Sequence, residues 1–177
     1  MPSHVLAVVG SLQAQSSNKA LVEAFGGLRR GALQVTSSGA LHALPPFNSD
    51  FESENVPEAV IAWRAELAAA DAIVFATPEY AFGIAGALKN SLDWVVGSGE
   101  LVAKPVVLMG ASTMATGASL ALEALERTLR VMSAEVVGVL SVPHVRAKLD
   151  PEGRVTDDAT KASLDQLAEK LVRRLAS

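Results

Sequence analysis

The chain has 177 residues, half of them hydrophobic, 19% charged and only 5% aromatic. That length suits one domain with a full core, and the apolar content excludes a disordered chain. Cysteine is absent, which excludes disulfides, thiolate metal sites and cysteine nucleophiles, and a net charge of −4 lacks the positive excess that nucleic-acid binding needs.

Val5–Val9 is an apolar run closed by Gly10, which predicts a first strand covered on both faces. No Lys or Arg precedes it, and it is too short for a signal-peptide core. Ser16, Ser17 and Asn18 are N-cap residue types, so a helix is expected from near Ser17 or Asn18 to about Leu28. A second strand is expected within Leu33–Leu44. Pro45 to Glu54 reads as a loop, with Asp50, Glu52 and Glu54 as its solvated face. Pro57 suits the first turn of the next helix, whose apolar face is Val60, Trp63 and Leu67.

Ala72–Ala76 predicts the third strand, closed by Thr77-Pro78, and a helix follows with Leu88, Leu92 and Val95 on one side. Pro105–Met109 predicts the fourth strand. The stretch from Pro105 to Leu122 is uncharged, but Gly110, Ser112, Thr113, Thr116, Gly117 and Ser119 interrupt it. It reads as a strand, a loop and a helix start rather than a membrane span. Leu122, Leu125, Leu129 and Met132 line the next helix, with Glu123–Arg127 and Glu126–Arg130 as ion pairs on its outer face. Val136–Leu140 predicts the fifth strand. From Asp157 a last helix turns Leu164, Leu167, Leu171 and Leu175 inward. No membrane insertion and a cytoplasmic location are expected.

Strands alternating with helices predict an α/β fold in three layers. Its five-stranded parallel sheet has the flavodoxin-like order 2-1-3-4-5, and residues 1–177 form a single domain. Ligands of such sheets bind outside the carboxyl ends of the strands, at the switch point of the strand order. Three loops lie there: after Val9, after Ala76 and after Met109.

The first loop, Gly10 to Asn18, offers hydroxyls and amides at a helix N-terminus, a place suited to phosphate or to plain capping. It has neither dinucleotide-fingerprint nor Walker spacing. The second loop carries Tyr80, the only tyrosine, together with Phe82. These aromatics either cover a flat ligand or pack the loop down. The third loop, Gly110 to Gly117, is built of small and hydroxyl residues that permit close approach. His4, His42 and His144 are scattered and suggest no metal site, and no Gly-x-Ser-x-Gly elbow occurs.

Taken together the loops resemble the NADPH-dependent FMN reductase family, which includes the bacterial quinone and chromate reductases. The resemblance is carried by Gly10-Ser11-Leu12 with Ser16 and Asn18, by Thr77-Pro78-Glu79-Tyr80, and by Gly86, Leu88-Lys89-Asn90 and Asp93-Trp94. Gly110-Ala111-Ser112 adds to it. It implies FMN as cofactor, NAD(P)H as co-substrate, and a quinone, free flavin or metal oxyanion as electron acceptor, with hydride passing through flavin N5. No catalytic side chain is implied, because the flavin carries the chemistry.

The resemblance places the FMN phosphate on Ser11, Gln13, Ser16, Ser17 and Asn18. It lays the ring along Pro78, Glu79, Tyr80, Ala81 and Phe82, mostly by backbone, with Ser112 and Thr113 on its other side. It also implies dimers or dimers of dimers through the 84–96 helix, with Lys89, Asn90, Asp93 and Trp94 at the interface. Gln13 stands where relatives carry arginine, and Ala81, Gly83 and Ala85 stand where they carry Asn, Ser and Pro. The competing readings are an electron carrier of the flavodoxin type and an interaction module with weak or no FMN binding. The mild acidity and the Leu88–Trp94 motif argue against the carrier.

Overall fold

Strand residues alternate between two apolar cores, and that alternation sets the layers. Leu6, Val8, Ile73, Phe75, Val106 and Leu108 face one side of the sheet. Val5, Ala7, Ala72, Val74, Ala76, Val107 and Met109 face the other. The computed structural model describes residues 1–51 and 55–177. Its strands are β1 (Ser3–Val9), β2 (Leu33–Ser37), β3 (Ala72–Thr77), β4 (Glu79–Tyr80), β5 (Gly83–Ile84), β6 (Pro105–Ala111) and β7 (Glu135–Val142). Five of them form a parallel sheet of order β2-β1-β3-β6-β7, which is the expected 2-1-3-4-5, and the fold is flavodoxin-like. The β4 and β5 strands pair antiparallel as a separate hairpin that the sequence did not suggest. Every residue of β3 and β6 is buried, as central strands covered on both faces require.

The helices are α1 (Ser17–Gly26), α2 (Glu58–Ala69), α3 (Gly86–Asp93), α4 (Ser119–Val131) and α5 (Asp158–Leu175). Trp63, Leu88, Leu92, Leu122 and Leu125 bring α2, α3 and α4 onto one core. Leu21, Phe25, Leu164 and Leu171 bring α1 and α5 onto the other. The helix after Gly10 stops at Gly26, short of Leu28. Pro57 sits just before α2 rather than within it, and Val95 lies beyond the end of α3 yet stays buried. Of the two ion pairs expected on α4, Glu126–Arg130 forms at 2.6 Å, while Glu123–Arg127 is not found among the described residues. Asp50 lies exposed in a short 3-10 turn, Ser49–Phe51, and Glu52 and Glu54 lie outside the described residues. Among the described residues no helix is long and apolar enough to cross a membrane.

Register positions the site. Val9 pairs with Ala76, Thr77 with Gly110, and Ala111 with Val142. The carboxyl ends of β1, β3, β6 and β7 therefore finish along one edge, and four loops leave it side by side.

Candidate functional site

Gly10 ends β1 by donating its N–H to the Ala76 carbonyl at 2.7 Å. A Cβ here would stand 3.1 Å from that of Leu88, so glycine lets α3 close on the loop. The chain then passes Ser11, whose Oγ accepts a bond from the Gln13 N–H, to Ser16 at the N-cap of α1. Ser16 is extended, and its carbonyl accepts from Ala20, but no side chain caps the helix. The hydroxyls of Ser16 and Ser17 and the first N–H groups of α1 thus sit together at the positive end of a helix.

Asn18, only 3% exposed, spends its carboxamide elsewhere. Oδ1 accepts from the Ala111 N–H at 2.9 Å, and Nδ2 donates to the Ala111 carbonyl at 3.4 Å. The side chain mimics a strand partner and fixes the start of α1 to the end of β6.

In the second loop Glu79–Tyr80 and Gly83–Ile84 flank a two-residue turn. Ala81 and Phe82 both adopt left-handed backbone, at φ 48° and 61°. Turns of this hand fit hairpins, but both positions favour Gly or Asn, so each residue is strained. The Glu79 carboxylate points away from the turn. It accepts from Thr116 Oγ1 at 2.8 Å and from the N–H groups of Leu120 and Ala121 at 2.9 and 3.1 Å. It therefore caps α4, whose own N-cap residue is Ala118 in left-handed conformation. Tyr80 and Phe82 are left 50% and 71% exposed.

The third loop is closed by local bonds. Ser112 Oγ accepts from the Met114 N–H at 3.1 Å, and Gly117, at φ 59°, presses on Ser141 and Pro143 so closely that a Cβ would stand 2.5 Å from Ser141 Oγ. A fourth loop, after β7, joins it. Ser112 donates its N–H to the Val142 carbonyl, and Val145 donates to the Ser112 carbonyl at 3.0 Å. Beyond the 3-10 turn Val145–Lys148, Leu149 bridges to Val155, and Arg154 bonds Asp150 at 2.7 Å. Hydrogen bonds from the Arg154 backbone and side chain hold the Asp150 carboxyl below the usual range.

These four loops surround a cleft of about 590 Å3. Ser11, Gln13, Ser16, Ser17, Asn18, Pro78, Tyr80, Ser112 and Thr113 of the expected site line it. Glu79, Ala81 and Phe82 do not. The far wall, from Val145 and Arg146 to Asp150 and Gly153, was missed. The basic residues directly behind the Val136–Leu140 run were the available signal. A second cavity of about 540 Å3 lies on the other side of the first loop, sharing Ser11, Gln13 and Lys19 and reaching Ser37, Ser38 and His42. Among the described residues no cluster suits a metal ion.

The family model for NADPH-dependent FMN reductase matches residues 3–147. The chain belongs to this family. Among its relatives, an NAD(P)H-dependent FMN reductase of Pseudomonas aeruginosa is 33% identical, across 97% of this chain and 96% of its own length. A 2-hydroxy-1,4-benzoquinone reductase of a Burkholderia species is 27% identical, across 96% and 94%. Among solved structures, the flavoenzyme NAD(P)H:(acceptor) oxidoreductase FerB of Paracoccus denitrificans superposes with a TM-score of 0.83 at 26% identity, covering 98% of this chain and 97% of that one. The family motif residues Asn90 and Trp94 have intrachain roles. Both donate to the Pro45 carbonyl at 2.9 Å, and Asn90 Oδ1 accepts from the Phe47 N–H at 2.7 Å. Trp94 is buried, with the Phe47 ring edge-on at 5.1 Å, and Lys89 pairs with Asp93 at 2.5 Å on the helix surface.

Proposed function

We propose that this chain is an NAD(P)H-dependent FMN oxidoreductase, a single FMN-binding domain that reduces small acceptors such as quinones or free flavin. The observation that carries the reading is the cleft itself. It joins the uncapped start of α1 to the Pro78–Tyr80 loop, and its volume of about 590 Å3 lies within the usual ligand-pocket range of roughly 300–1,000 Å3. The residues fit the cofactor. Ser11, Ser16, Ser17 and the first N–H groups of α1 suit a phosphate. Polar side chains such as Gln13, Ser112 and Thr113 suit a polyol, and Pro78 and Tyr80 give a flat ring an apolar wall. Bound FMN supplies hydride acceptance from NAD(P)H at N5 and electron delivery to the acceptor.

The protein's part is to hold and orient. Asn18 and Glu79 lock the loops to β6 and α4, so the cleft keeps its shape without using those side chains on the ligand. We further infer a cytoplasmic protein that self-associates beside α3. Because Asn90 and Trp94 are committed within the chain, the surface left for a partner is Lys89, Asp93 and the exposed Val96. A monomer in sedimentation runs at micromolar concentration would remove that part.

The decisive experiment is spectral. Purified protein, reconstituted with FMN, is expected to hold a flavin spectrum through gel filtration and to bleach anaerobically with NADPH. Protein that elutes colourless after FMN addition refutes the reading.

A further inference from the structure

We propose that Arg146, from the loop after β7, is the side chain that fixes the terminal phosphate of the flavin nucleotide. The inference rests on the FMN reading above. The loop from Gly10 to Asn18 contains no Lys or Arg. The cations lining the cleft are Lys19 and Arg146. Lys19 stands 3.9 Å from Glu23, its neighbour one turn along α1. The acidic lip across the cleft is also committed, since Arg154 bonds Asp150 at 2.7 Å and Glu152 at 3.2 Å. Among the described residues Arg146 alone of the lining charges has no ion-pair partner. A phosphate dianion entering this cleft therefore meets one uncommitted guanidinium.

The backbone around Arg146 is fixed with respect to the start of α1. Val145 is buried and donates its N–H to the Ser112 carbonyl at 3.0 Å. Ala111, the residue before, is clasped by the Asn18 carboxamide in the first turn of α1. The turn is closed further by the Ala147 N–H on the His144 carbonyl at 3.1 Å. This short run of hydrogen bonds brings the exposed Arg146 side chain to the same cleft as Ser16 and Ser17. A planar guanidinium matches two phosphate oxygens at once, and the hydroxyls and N–H groups of α1 remain for the third.

The test compares flavins that differ only in the phosphate. Flavin-fluorescence titration of apoprotein with FMN and with riboflavin is run on the wild type, Arg146→Gln, Arg146→Lys and Arg127→Gln, the last removing an exposed arginine of α4. Arg146→Gln is expected to weaken FMN about ten- to hundredfold while riboflavin is unchanged. Arg146→Lys recovers part of the loss, and Arg127→Gln costs less than about threefold. Unchanged FMN binding by Arg146→Gln, an equal loss for both flavins, or an equal loss in Arg127→Gln overturns the assignment. Wild-type protein that binds neither flavin overturns the FMN reading itself, an outcome visible before any variant is compared.

Discussion

Replacing Glu79 by alanine should expose how the cleft is held together. The carboxylate reaches across 37 to 42 positions of sequence to take the N–H groups of Leu120 and Ala121 and the hydroxyl of Thr116. No side chain of α4's own N-cap does this, because Ala118 has no side-chain acceptor. Loss of an N-cap costs about 0.5–2 kcal/mol, and a carboxylate at a helix N-terminus adds about 0.3–1 kcal/mol through the helix dipole. Water reaches the half-buried group and replaces part of what is lost, so about 2 kcal/mol is expected for Glu79→Ala. In a chain of this size that lowers the melting temperature by about 4–8 °C.

Glu79→Gln keeps one carbonyl acceptor and should lose about half as much. The hairpin is the second readout. Its turn residues Ala81 and Phe82 sit in strained left-handed backbone, and Glu79 hydrogen-bonds the hairpin to α4 beside the packing of Ile84 on the same core. Loosening it should weaken FMN through Tyr80, which lines the cleft. Thermal melts followed by circular dichroism, run without and with FMN, measure both. A melting temperature unchanged within about 1 °C would refute the capping role. Unchanged stability with FMN binding abolished would show instead that the carboxylate touches the ligand.

Two further outcomes follow from the same geometry. Asn18→Ala leaves the buried Ala111 N–H and carbonyl unpaired and should cost about 2–4 kcal/mol in urea unfolding, and a loss under about 0.5 kcal/mol would contradict the clasp. Acid should destabilise the fold through Glu135, Asp150 and Asp157, whose carboxyls are held low by the Arg174 side chain, by the Arg154 backbone N–H and by the Thr160 hydroxyl respectively. Depressed folded-state values mean that the stabilisation is complete above the unfolded range near about 4 and is lost as pH falls through the lower folded values. Asp157→Asn, which keeps a good N-cap for α5, should flatten part of that acid loss in melts from pH 6 down to pH 2, and an unchanged profile would count against Asp157 as a contributor.

The sheet was legible because its central strands are nearly all apolar. Ala72–Ala76 and Pro105–Met109 need cover on both faces, and only a helix–sheet–helix arrangement supplies it. The edge strand Leu33–Ser37 was harder to place, since only Leu33 is buried and the outer residues are polar. The β4–β5 hairpin escaped notice because Ala81 and Phe82 are not the residues that advertise a left-handed turn. The cleft's position followed from strand order alone, but side-chain direction did not. Asn18 and Glu79 stand in the expected loops, yet Asn18 spends its carboxamide on the Ala111 backbone, and Glu79 its carboxylate on the start of α4 and the Thr116 hydroxyl before it.

The fourth loop shows why direction matters more than motif. Counting loops from the switch point picks those after β1, β3 and β6, and leaves β7 as an outer strand. Register adds β7, because Ala111 pairs with Val142 and the two strands end level. Once they end level, backbone bonds between Ser112 and both Val142 and Val145 turn the fourth loop toward the third. The fourth loop then walls a cleft whose first loop has no Lys or Arg, and on the proposed assignment Arg146 supplies the cation. Sequence distance hides this exchange, since 133 positions separate Gln13 from Arg146 while both line one cavity. On this assignment, phosphate recognition by this chain draws on both ends of the carboxyl edge, the hydroxyls after β1 and the guanidinium after β7. A first loop without Lys or Arg can serve here because β7 ends level with β6 and Arg146 follows just beyond it.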